Sequence, residues 1–333
     1  MRQTDIDGRY LMIRTAAIFL IFLVLFSGCA LNMSLTPEPK PLEEKVVEGE
    51  GRPKILLVDL DGMISFKEET GITGIVTKPS KVAFFREALL KAENDPDMAA
   101  VVLRINSPGG SVAASDTIYH EIMSFKQKKK IPVEAFIMEV GASGGYYVAS
   151  ACDSIIASPA AITGSIGVIA VKFNVDGLLS KIGVSEETYK SGPKKDFWMP
   201  FRPSTPEEKK MLQGIIDKLY ARFVEVVYLN RQKLLTKAEV GELADGRILT
   251  ADEALDSKLI DKVAYLDETI NAVKNSLNLD KARVVTYERP KTFKSNIYSD
   301  MSSPGPQVIN LLTVNAEDFS IFSGTRFMYL WNP

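Results

Sequence analysis

The sequence predicts an α/β fold in which mostly parallel strands alternate with amphipathic helices. Three short apolar runs, at residues 54–60, 99–105 and 133–140, are rich in valine, isoleucine and leucine, as is typical of buried strands. Apolar residues at helical spacing follow the first run from about Ser80, and the second run as far as about Lys128. Because strands covered by helices on both faces read as continuous apolar runs, this alternation predicts a layered, parallel sheet.

The later elements are predicted from short apolar runs and from capping signals. Residues 154–157 and 166–170 are further strand candidates. Thr205 and Glu208 form a capping box that predicts the start of a long helix, and Thr250 opens a shorter helix in the same way.

The composition is that of an ordinary globular enzyme, and nothing in it indicates binding to nucleic acid. The 333 residues are 46% hydrophobic and 25% charged, and the formal net charge is −2. The one dense basic run, residues 126–130, falls at the predicted end of a helix, where it complements the helix dipole. We therefore expect no nucleic-acid partner.

The N-terminus has the pattern of an export signal. Three arginines precede a continuous apolar stretch at residues 15–26, and small residues follow. Residues 25–29 (LFSGC) resemble a bacterial lipobox, which would make Cys29 the lipidated first residue of the mature protein. An uncleaved transmembrane anchor over residues 15–31 is the alternative. Both interpretations predict a folded part that is tethered to membrane lipid outside the cytoplasm.

We expect four parts along the chain. They are a signal or anchor segment (residues 1–28), a linker rich in proline and glutamate (29–53), one folded domain without internal repeats (54–290) and a C-terminal tail (291–333). The tail is irregular but ends in the apolar residues 327–331. We expect these residues to pack on their own domain or on a neighbouring subunit.

Residues 141–147 (GASGGYY) contain a candidate nucleophile, Ser143. This serine follows a predicted strand and precedes a predicted helix. Small neighbours suit a tight turn whose backbone N–H groups bind a developing oxyanion, and a helix N-terminus adds positive partial charge. A simple packing turn is the alternative that this segment alone leaves open.

Residues 106–110 (NSPGG) form a second glycine-rich turn directly after a predicted strand. The N–H group of Gly110 is a candidate oxyanion donor. An ordinary strand–helix turn is the alternative for this segment. The patterns of phosphate-binding loops are missing from it.

The identity of a catalytic base is left open by spacing alone. The single histidine, His120, lies in a helical pattern, so we expect any hydrolase here to use another base. Lys190, Lys194 and Lys195 precede the apolar residues 197–201. A lysine accepts a proton only when it is neutral, which burial against such a wall favours. Three lysines in a solvated loop are the alternative.

The two cysteines predict no disulfide. Cys29 lies in the leader, and Cys152 lies in a segment of small residues. Its neighbours Ala151 and Asp153 supply neither a base nor a cation, so we expect Cys152 to be a buried structural thiol.

Five motifs in the same order resemble the signal peptide peptidase A family, also called protease IV. They are SPGGS at residues 107–111, GASGGYYVA at 141–149, ITGSIGV at 162–168, the pattern GxxKDxxxPFRP at 192–203 and DGRILTADEA at 245–254. Together they span nearly all of the predicted folded domain, and their common order makes the resemblance specific.

The resemblance implies a role for each matching residue. Ser143 is the nucleophile, Lys195 is the general base, Gly110 and Gly144 donate the oxyanion-hole N–H groups, and Ser165 orients the lysine. The implied fold is that of the Clp protease and crotonase superfamily, which is built on repeated β-β-α units. No cofactor and no metal is implied.

The resemblance also implies a biological setting. The short, single-repeat members of the family form ring-like homo-oligomers, because each subunit has only part of the catalytic groove. They are anchored in the bacterial cell envelope and degrade cleaved signal peptides and other hydrophobic peptides. The lipobox departs from the plain transmembrane anchor of the family.

Two other functions fit parts of the sequence. A crotonase-like acyl-CoA enzyme would share the fold and the glycine oxyanion hole, but it needs a carboxylate acid or base and cytoplasmic coenzyme A. A non-catalytic lipoprotein scaffold would need no active site, whereas Ser143, Lys195 and Ser165 occur together here.

Overall fold

A computed structural model of the chain describes residues 41–70, 77–289 and 327–331. Cys29 and the predicted signal or anchor segment lie outside the described residues. Within the described ranges, no helix is both long enough and apolar enough to cross a bilayer.

The strands and helices are numbered here in chain order. The strands are β1 (Glu43–Glu48), β2 (Lys54–Asp61), β3 (Glu69–Thr70), β4 (Thr77–Lys78), β5 (Met98–Ser107), β6 (Gly109–Ser111), β7 (Val133–Ala142), β8 (Ser154–Ala157), β9 (Ile162–Gly164), β10 (Ile248–Thr250), β11 (Lys262–Val263), β12 (Arg283–Glu288) and β13 (Met328–Leu330). The helices are α1 (Lys81–Glu93), α2 (Val112–Lys129), α3 (Gly144–Ala149), α4 (Asp176–Lys181), α5 (Pro206–Arg231), α6 (Lys237–Leu243), α7 (Ala251–Asp256) and α8 (Leu266–Ser276).

A large, mostly parallel sheet organises the described part of the chain. Its strand order is β1-β12-β2-β5-β7-β8-β11, with β9 beside the end of β7 and β10 beside β9. The central pairs are parallel, whereas β1–β12 and β9–β10 are antiparallel. The predicted mixed α/β fold with a parallel sheet is thus confirmed.

Both faces of the sheet are covered by helices. Leu103 of β5 belongs to one apolar cluster together with Phe85 of α1 and Ile118 of α2. Val102 of the same strand faces the other way, into a cluster with Ile270 of α8. Successive residues of β5 thus enter opposite cores, which explains its continuous apolar sequence.

Two sequence predictions about strands need correction. The folded part begins before Lys54, because β1 lies inside the predicted linker and pairs with β12 at the edge of the sheet. Residues 166–170 do not form a strand and make a single bridge at Ile169. Gly164 (φ +85°) and Ser165 (φ +49°) turn the chain out of the sheet just before this segment.

Candidate active site

Ser143 lies on a strained turn between β7 and α3. Its backbone has φ +52° and ψ −113°, a conformation that non-glycine residues adopt at a cost of about 1–3 kcal/mol. Two hydrogen bonds hold it there: the Ser143 N–H donates to the Gly164 carbonyl (2.8 Å), and the Ser143 carbonyl accepts from the Tyr147 N–H (2.8 Å). The serine therefore stands at the N-terminus of α3, as the sequence predicts.

The small residues around Ser143 are required by close packing. A Cβ atom on Gly144 would lie 2.6 Å from the Ser115 hydroxyl, and one on Gly145 would lie 2.7 Å from the Ser107 carbonyl oxygen. Side chains at these positions would push α3 away from β5 and α2. The GASGG motif therefore has a packing role as well as a possible chemical one.

The second glycine turn lies directly beside the serine turn. Ser107 fixes it, because its hydroxyl donates to the Gly62 carbonyl (2.6 Å) and accepts from the Gly109 N–H (3.1 Å). A Cβ atom on Gly109 would lie only 2.6 Å from the Gly144 nitrogen. The parallel pairing of β5 with β7 thus brings the NSPGG and GASGG turns into contact.

Ser165 lies next to the serine turn at the end of β9. The register of β7 with β9 pairs Ala142 with Gly164, so the residues that follow them, Ser143 and Ser165, are neighbours. The Ser165 N–H donates to the Arg247 carbonyl (2.7 Å), and Ser165 is largely buried.

The three candidate lysines differ in their contacts. Lys190 pairs with Asp196 (2.7 Å), and Lys194 pairs with Glu207 (2.6 Å). Lys195 is exposed and has no ion pair or side-chain hydrogen bond to another described residue, Ser143 included. Within one copy of the chain, the predicted apolar wall at residues 197–201 does not bury Lys195.

A buried ionic cluster fixes the backbone beside Lys195. Arg202 donates to Asp196 (2.8 Å) and to Glu208 (2.9 Å), and both carboxylates are buried. The guanidinium of Arg202, followed by the ammonium of Lys190, holds the pKa of Asp196 far below its usual range. Arg202 and the backbone N–H of the helix cap lower the pKa of Glu208 to about 2. The cluster ties the Lys195 segment to the start of α5.

Strand β13 crosses both glycine turns, and sequence reasoning did not assign it to the site. It pairs antiparallel with β6, so the apolar end of the tail packs on the domain of its own chain. The only sequence signal was a run of apolar residues after an irregular segment. That run did not indicate that the segment would form a strand and pair with β6.

Two other reactive side chains stand apart from this arrangement. Cys152 is buried in the main core, and burial raises the pKa of its thiol, as expected for a structural cysteine. His120 is exposed on α2 and makes no hydrogen bond to Ser143. Neither residue provides a base for the serine in the described part of the chain.

Comparisons with known proteins agree with this architecture. The profile of Peptidase family S49 matches residues 125–280, and that of Clp protease matches residues 72–163. A protein named signal peptide peptidase SppA in Enterococcus faecium is 35% identical over 75% of this chain and 71% of its own length. A protein named as a protease in Methanocaldococcus jannaschii is 33% identical over 81% of this chain and 86% of its own.

A longer relative is matched over part of its length. Protease 4 of Salmonella typhi is 31% identical over 79% of this chain but only 43% of its own length. Together with the mostly parallel sheet, these matches define a serine peptidase with a Clp protease-like α/β fold. The chain belongs to peptidase family S49, the family of signal peptide peptidase SppA and Protease 4. The predicted family is therefore confirmed.

Proposed function

We propose that this serine peptidase uses a dyad of Ser143 and Lys195 to cleave hydrophobic peptides, including the remnants of signal peptides. The observation that carries the proposal is the strained Ser143 turn at the start of α3, packed against the Gly109–Gly110 turn. A nucleophile needs a fixed hydroxyl beside backbone donors that do not reorganise during the reaction.

The reaction proceeds through an acyl-enzyme. The Ser143 hydroxyl attacks the peptide carbonyl carbon, and its proton passes to the neutral Lys195 amine. The N–H groups of Gly110 and Gly144 stabilise the oxyanion, which then collapses and expels the amine with the proton from lysine. Water deprotonated by Lys195 hydrolyses the ester and restores the serine.

Lys195 is supplied to this chemistry by a neighbouring copy of the chain. Lys190 and Lys194 each form an ion pair. Of the three candidates, Lys195 is the one that has no ion pair with a described residue. A solvated lysine stays protonated and cannot act as a base. A second protein surface therefore has to cover Lys195 and exclude water from its amine. Ser165, whose neighbour Gly164 pairs with Ala142, would accept a hydrogen bond from the incoming amine and orient it.

The surface for such an assembly lies on the segment around α4. Leu178, Ile182 and Tyr189 are 60%, 64% and 88% exposed. Apolar groups this exposed within one short segment of the chain are typical of a protein interface. A ring of copies that covers this segment would also enclose the peptide-binding groove.

The names of the relatives and the pattern of the leader support the proposed substrates and location. Relatives named signal peptide peptidase suggest short hydrophobic peptides left at the membrane. Lipidation at Cys29, or an anchor in the same segment, would hold the domain beside such peptides in the cell envelope.

The test is peptide cleavage and labelling by a serine-reactive fluorophosphonate probe, measured on matched variants of the full chain. Ser143→Ala should lose at least about 10⁴-fold in turnover and lose all labelling. Lys195→Ala should be equally inactive, while Lys194→Ala, which loses an exposed ion pair only, should keep wild-type activity. An active Ser143→Ala variant would refute the nucleophile, and an active Lys195→Ala variant would refute the dyad.

A further inference from the structure

The loop that carries Lys195 is held in place by four charged side chains of alternating sign. We propose that two of them, Asp196 and Arg202, are positioning residues that fix the backbone of Lys195, so that its amine reaches the serine of a neighbouring copy in one defined place. The inference rests on the proposed function, because it takes Lys195 as the base of the Ser143 dyad.

This loop needs a support because it has no regular secondary structure. It connects α4 to α5 over residues 182–205, all of which the structure describes, and none of them belongs to a helix or a strand. We call it the base loop. The Lys195 N–H donates to the Gly192 carbonyl (3.1 Å), and the Phe197 N–H donates to the Lys194 carbonyl (3.2 Å), so Lys195 lies in a series of turns. A loop this long without its own helix or strand is uncommon in a compact domain unless it serves a function.

The four charged side chains link the base loop to the start of α5. They are Lys190, Asp196, Arg202 and Glu208, which follow one another at intervals of six residues. The Lys190 ammonium donates to Asp196 (2.7 Å), and Arg202 donates to Asp196 (2.8 Å) and to Glu208 (2.9 Å). Each of these contacts closes a turn of the backbone, and Lys195 lies inside the first of them. We call this set the charge chain.

Arg202 is the residue that contacts both sides of the charge chain. Its Nε donates to the Asp196 carboxylate (2.8 Å), and its Nη2 donates to the Asp196 carbonyl (3.4 Å) and to Glu208 (2.5 Å). Its Nη1 donates to Glu208 (2.9 Å) and to the Pro203 carbonyl (3.1 Å). All five N–H bonds of the guanidinium therefore have an acceptor, which the three N–H bonds of a lysine ammonium could not reproduce.

The backbone beside Asp196 has a conformation that it would not adopt alone. Trp198 has φ +71°, which is uncommon for a bulky residue. The Met199 N–H that follows it donates to the Asp196 carbonyl (3.2 Å), the same oxygen that accepts from Arg202. Unfavourable backbone conformations persist only where other contacts impose them, and they cluster at functional sites. This strain is a second observation that indicates an imposed shape for the base loop.

The charge chain holds the loop without adding a net charge beside Lys195. It contains two cations and two carboxylates. Arg202, followed by Lys190, holds the pKa of Asp196 far below its usual range, and Arg202 together with the helix cap lowers the pKa of Glu208 to about 2. Both carboxylates therefore stay ionised at every pH at which a lysine amine can be neutral.

The base loop is also tied to the chain before α4. The Lys172 ammonium donates to the Arg202 carbonyl (3.0 Å) and to the Ser204 hydroxyl (2.9 Å). The Val175 N–H donates to the Pro200 carbonyl (2.9 Å). The exposed apolar segment around α4 and the base loop are thus connected. Docking of a neighbouring copy on α4 would therefore also place the base.

The first experiment measures peptide cleavage by variants of the full chain. Arg202→Lys keeps the charge but loses the five-donor geometry, and Asp196→Asn keeps the shape but loses the charge. In both variants we expect kcat to fall at least about 10²-fold, because a displacement of about 1 Å has this effect on a catalytic group. KM should change less than about threefold, because the peptide binds to the copy that supplies Ser143.

Two neighbouring glutamates at the start of α5 provide a matched pair. Glu208→Gln removes a carboxylate of the charge chain and should lower kcat at least about tenfold. Glu207→Gln removes a carboxylate that pairs only with the exposed Lys194, and it should keep the wild-type kcat.

A control for stability uses the buried ion pair of the central sheet. Asp59→Asn weakens its pairing with Arg104 and should lower the melting temperature at least as much as Arg202→Lys does. Its kcat, measured below the melting transition, should stay within about threefold of wild type. An equal loss of kcat in Asp59→Asn, or a wild-type kcat in Arg202→Lys, would overturn the positioning role.

The second experiment asks which chain needs Arg202. Ser143→Ala and Arg202→Lys chains are co-expressed with different tags, and the mixed assembly is purified through both. We expect about a quarter of the wild-type rate, because about one site in four of a random ring pairs an intact serine with an intact base loop. Mixing Lys195→Ala with Arg202→Lys should restore nothing, because both variants damage the same loop. Recovery in that second mixture would show that Arg202 acts on the serine of its own chain and would overturn the inference.

The remaining outcomes separate this inference from the proposed function. If Lys195→Ala alone is active, the dyad fails; if Lys195→Ala is inactive while Arg202→Lys keeps its kcat, only the positioning role fails. Hydrogen exchange tests the loop without any activity. The Lys195 and Met199 amide protons should exchange at least about tenfold faster in Arg202→Lys than in wild type, and unchanged exchange would overturn the inference.

Discussion

The Ser143 N–H donates a hydrogen bond of 2.8 Å to the Gly164 carbonyl. This bond joins the ends of two neighbouring parallel strands, β7 and β9. This bond holds a non-glycine residue at φ +52°. The positive φ is therefore imposed on the serine by the surrounding sheet.

Ser143→Gly should stabilise the fold while abolishing catalysis. Glycine adopts this conformation without a Cβ penalty. The free energy of unfolding of Ser143→Gly should therefore be about 1–2 kcal/mol higher than that of Ser143→Ala. Ser143→Ala lacks the same hydroxyl but keeps the strain, which makes it the matched control. Urea unfolding measures the difference, and equal midpoints would contradict the strain.

Gly109→Ala should inactivate the enzyme. The new methyl group would overlap both the Gly144 nitrogen and the Tyr329 carbonyl oxygen and would displace the Gly144 N–H, so we expect a loss of at least about 10²-fold in kcat. Gly241→Ala is the control, because its methyl group would meet no atom within 4 Å in α6. That variant should keep its activity and gain up to about 1 kcal/mol of stability. Steady-state kinetics measures the loss. A Gly109→Ala variant that is folded and fully active would refute the close approach of Gly109 to Gly144.

Glu208 should stabilise the fold in a pH-dependent way. Its pKa falls from 4.5 to about 2 on folding, because Arg202 and the helix cap stabilise the carboxylate. The folded state therefore gains stability above about pH 4.5 and loses this gain as the pH falls towards 2. Glu208→Gln should lower the melting temperature at pH 7, and the difference from wild type should shrink to near zero at pH 2.

Its neighbour Glu207 is the control for this pH series. Glu207 makes an exposed pair with Lys194, so Glu207→Gln should change stability by no more than about 0.5 kcal/mol at pH 7. A difference for Glu208→Gln that is constant with pH would show that the charge of Glu208 is not involved.

Asp59→Asn should destabilise the chain strongly. Asp59 of β2 and Arg104 of β5 are neighbours in register and form a buried two-point ion pair. Removing the carboxylate charge leaves the guanidinium buried with weaker compensation, at a cost of about 3 kcal/mol. Arg52→Ala breaks the exposed pair with Asp97 and should cost less than about 1 kcal/mol. Denaturant unfolding compares the two, and similar small losses would contradict the prediction.

The parts of the fold that depend on local signals could be predicted from the sequence. The Thr205–Glu208 capping box forms in both directions and starts α5 as expected. By contrast, β1 and β12 were not predicted as strands. Their pairing joins residues more than 200 positions apart, and only the completed sheet selects it.

The residues of the site also divide into those that local sequence predicts and those that only the folded chain brings together. The two glycine turns were recognised because close backbone approach requires glycine at fixed positions. The place of β13 was missed because Tyr329 packs on Tyr147 and Phe223, and its own segment does not reveal these partners. Whether Lys195 is buried or solvated was left open by the sequence, and its apolar neighbours in sequence do not cover it in one chain.

The position of the tail gives the protein a built-in optical reporter. Of the two tryptophans, Trp331 follows the tail strand and Trp198 lies three residues beyond Lys195. Intrinsic fluorescence therefore originates beside the second glycine turn and from the loop with the proposed base. Release of β13 from β6 would break the bond from the Trp331 N–H to the Pro108 carbonyl and shift the emission of Trp331 towards that of a solvated indole, without any label.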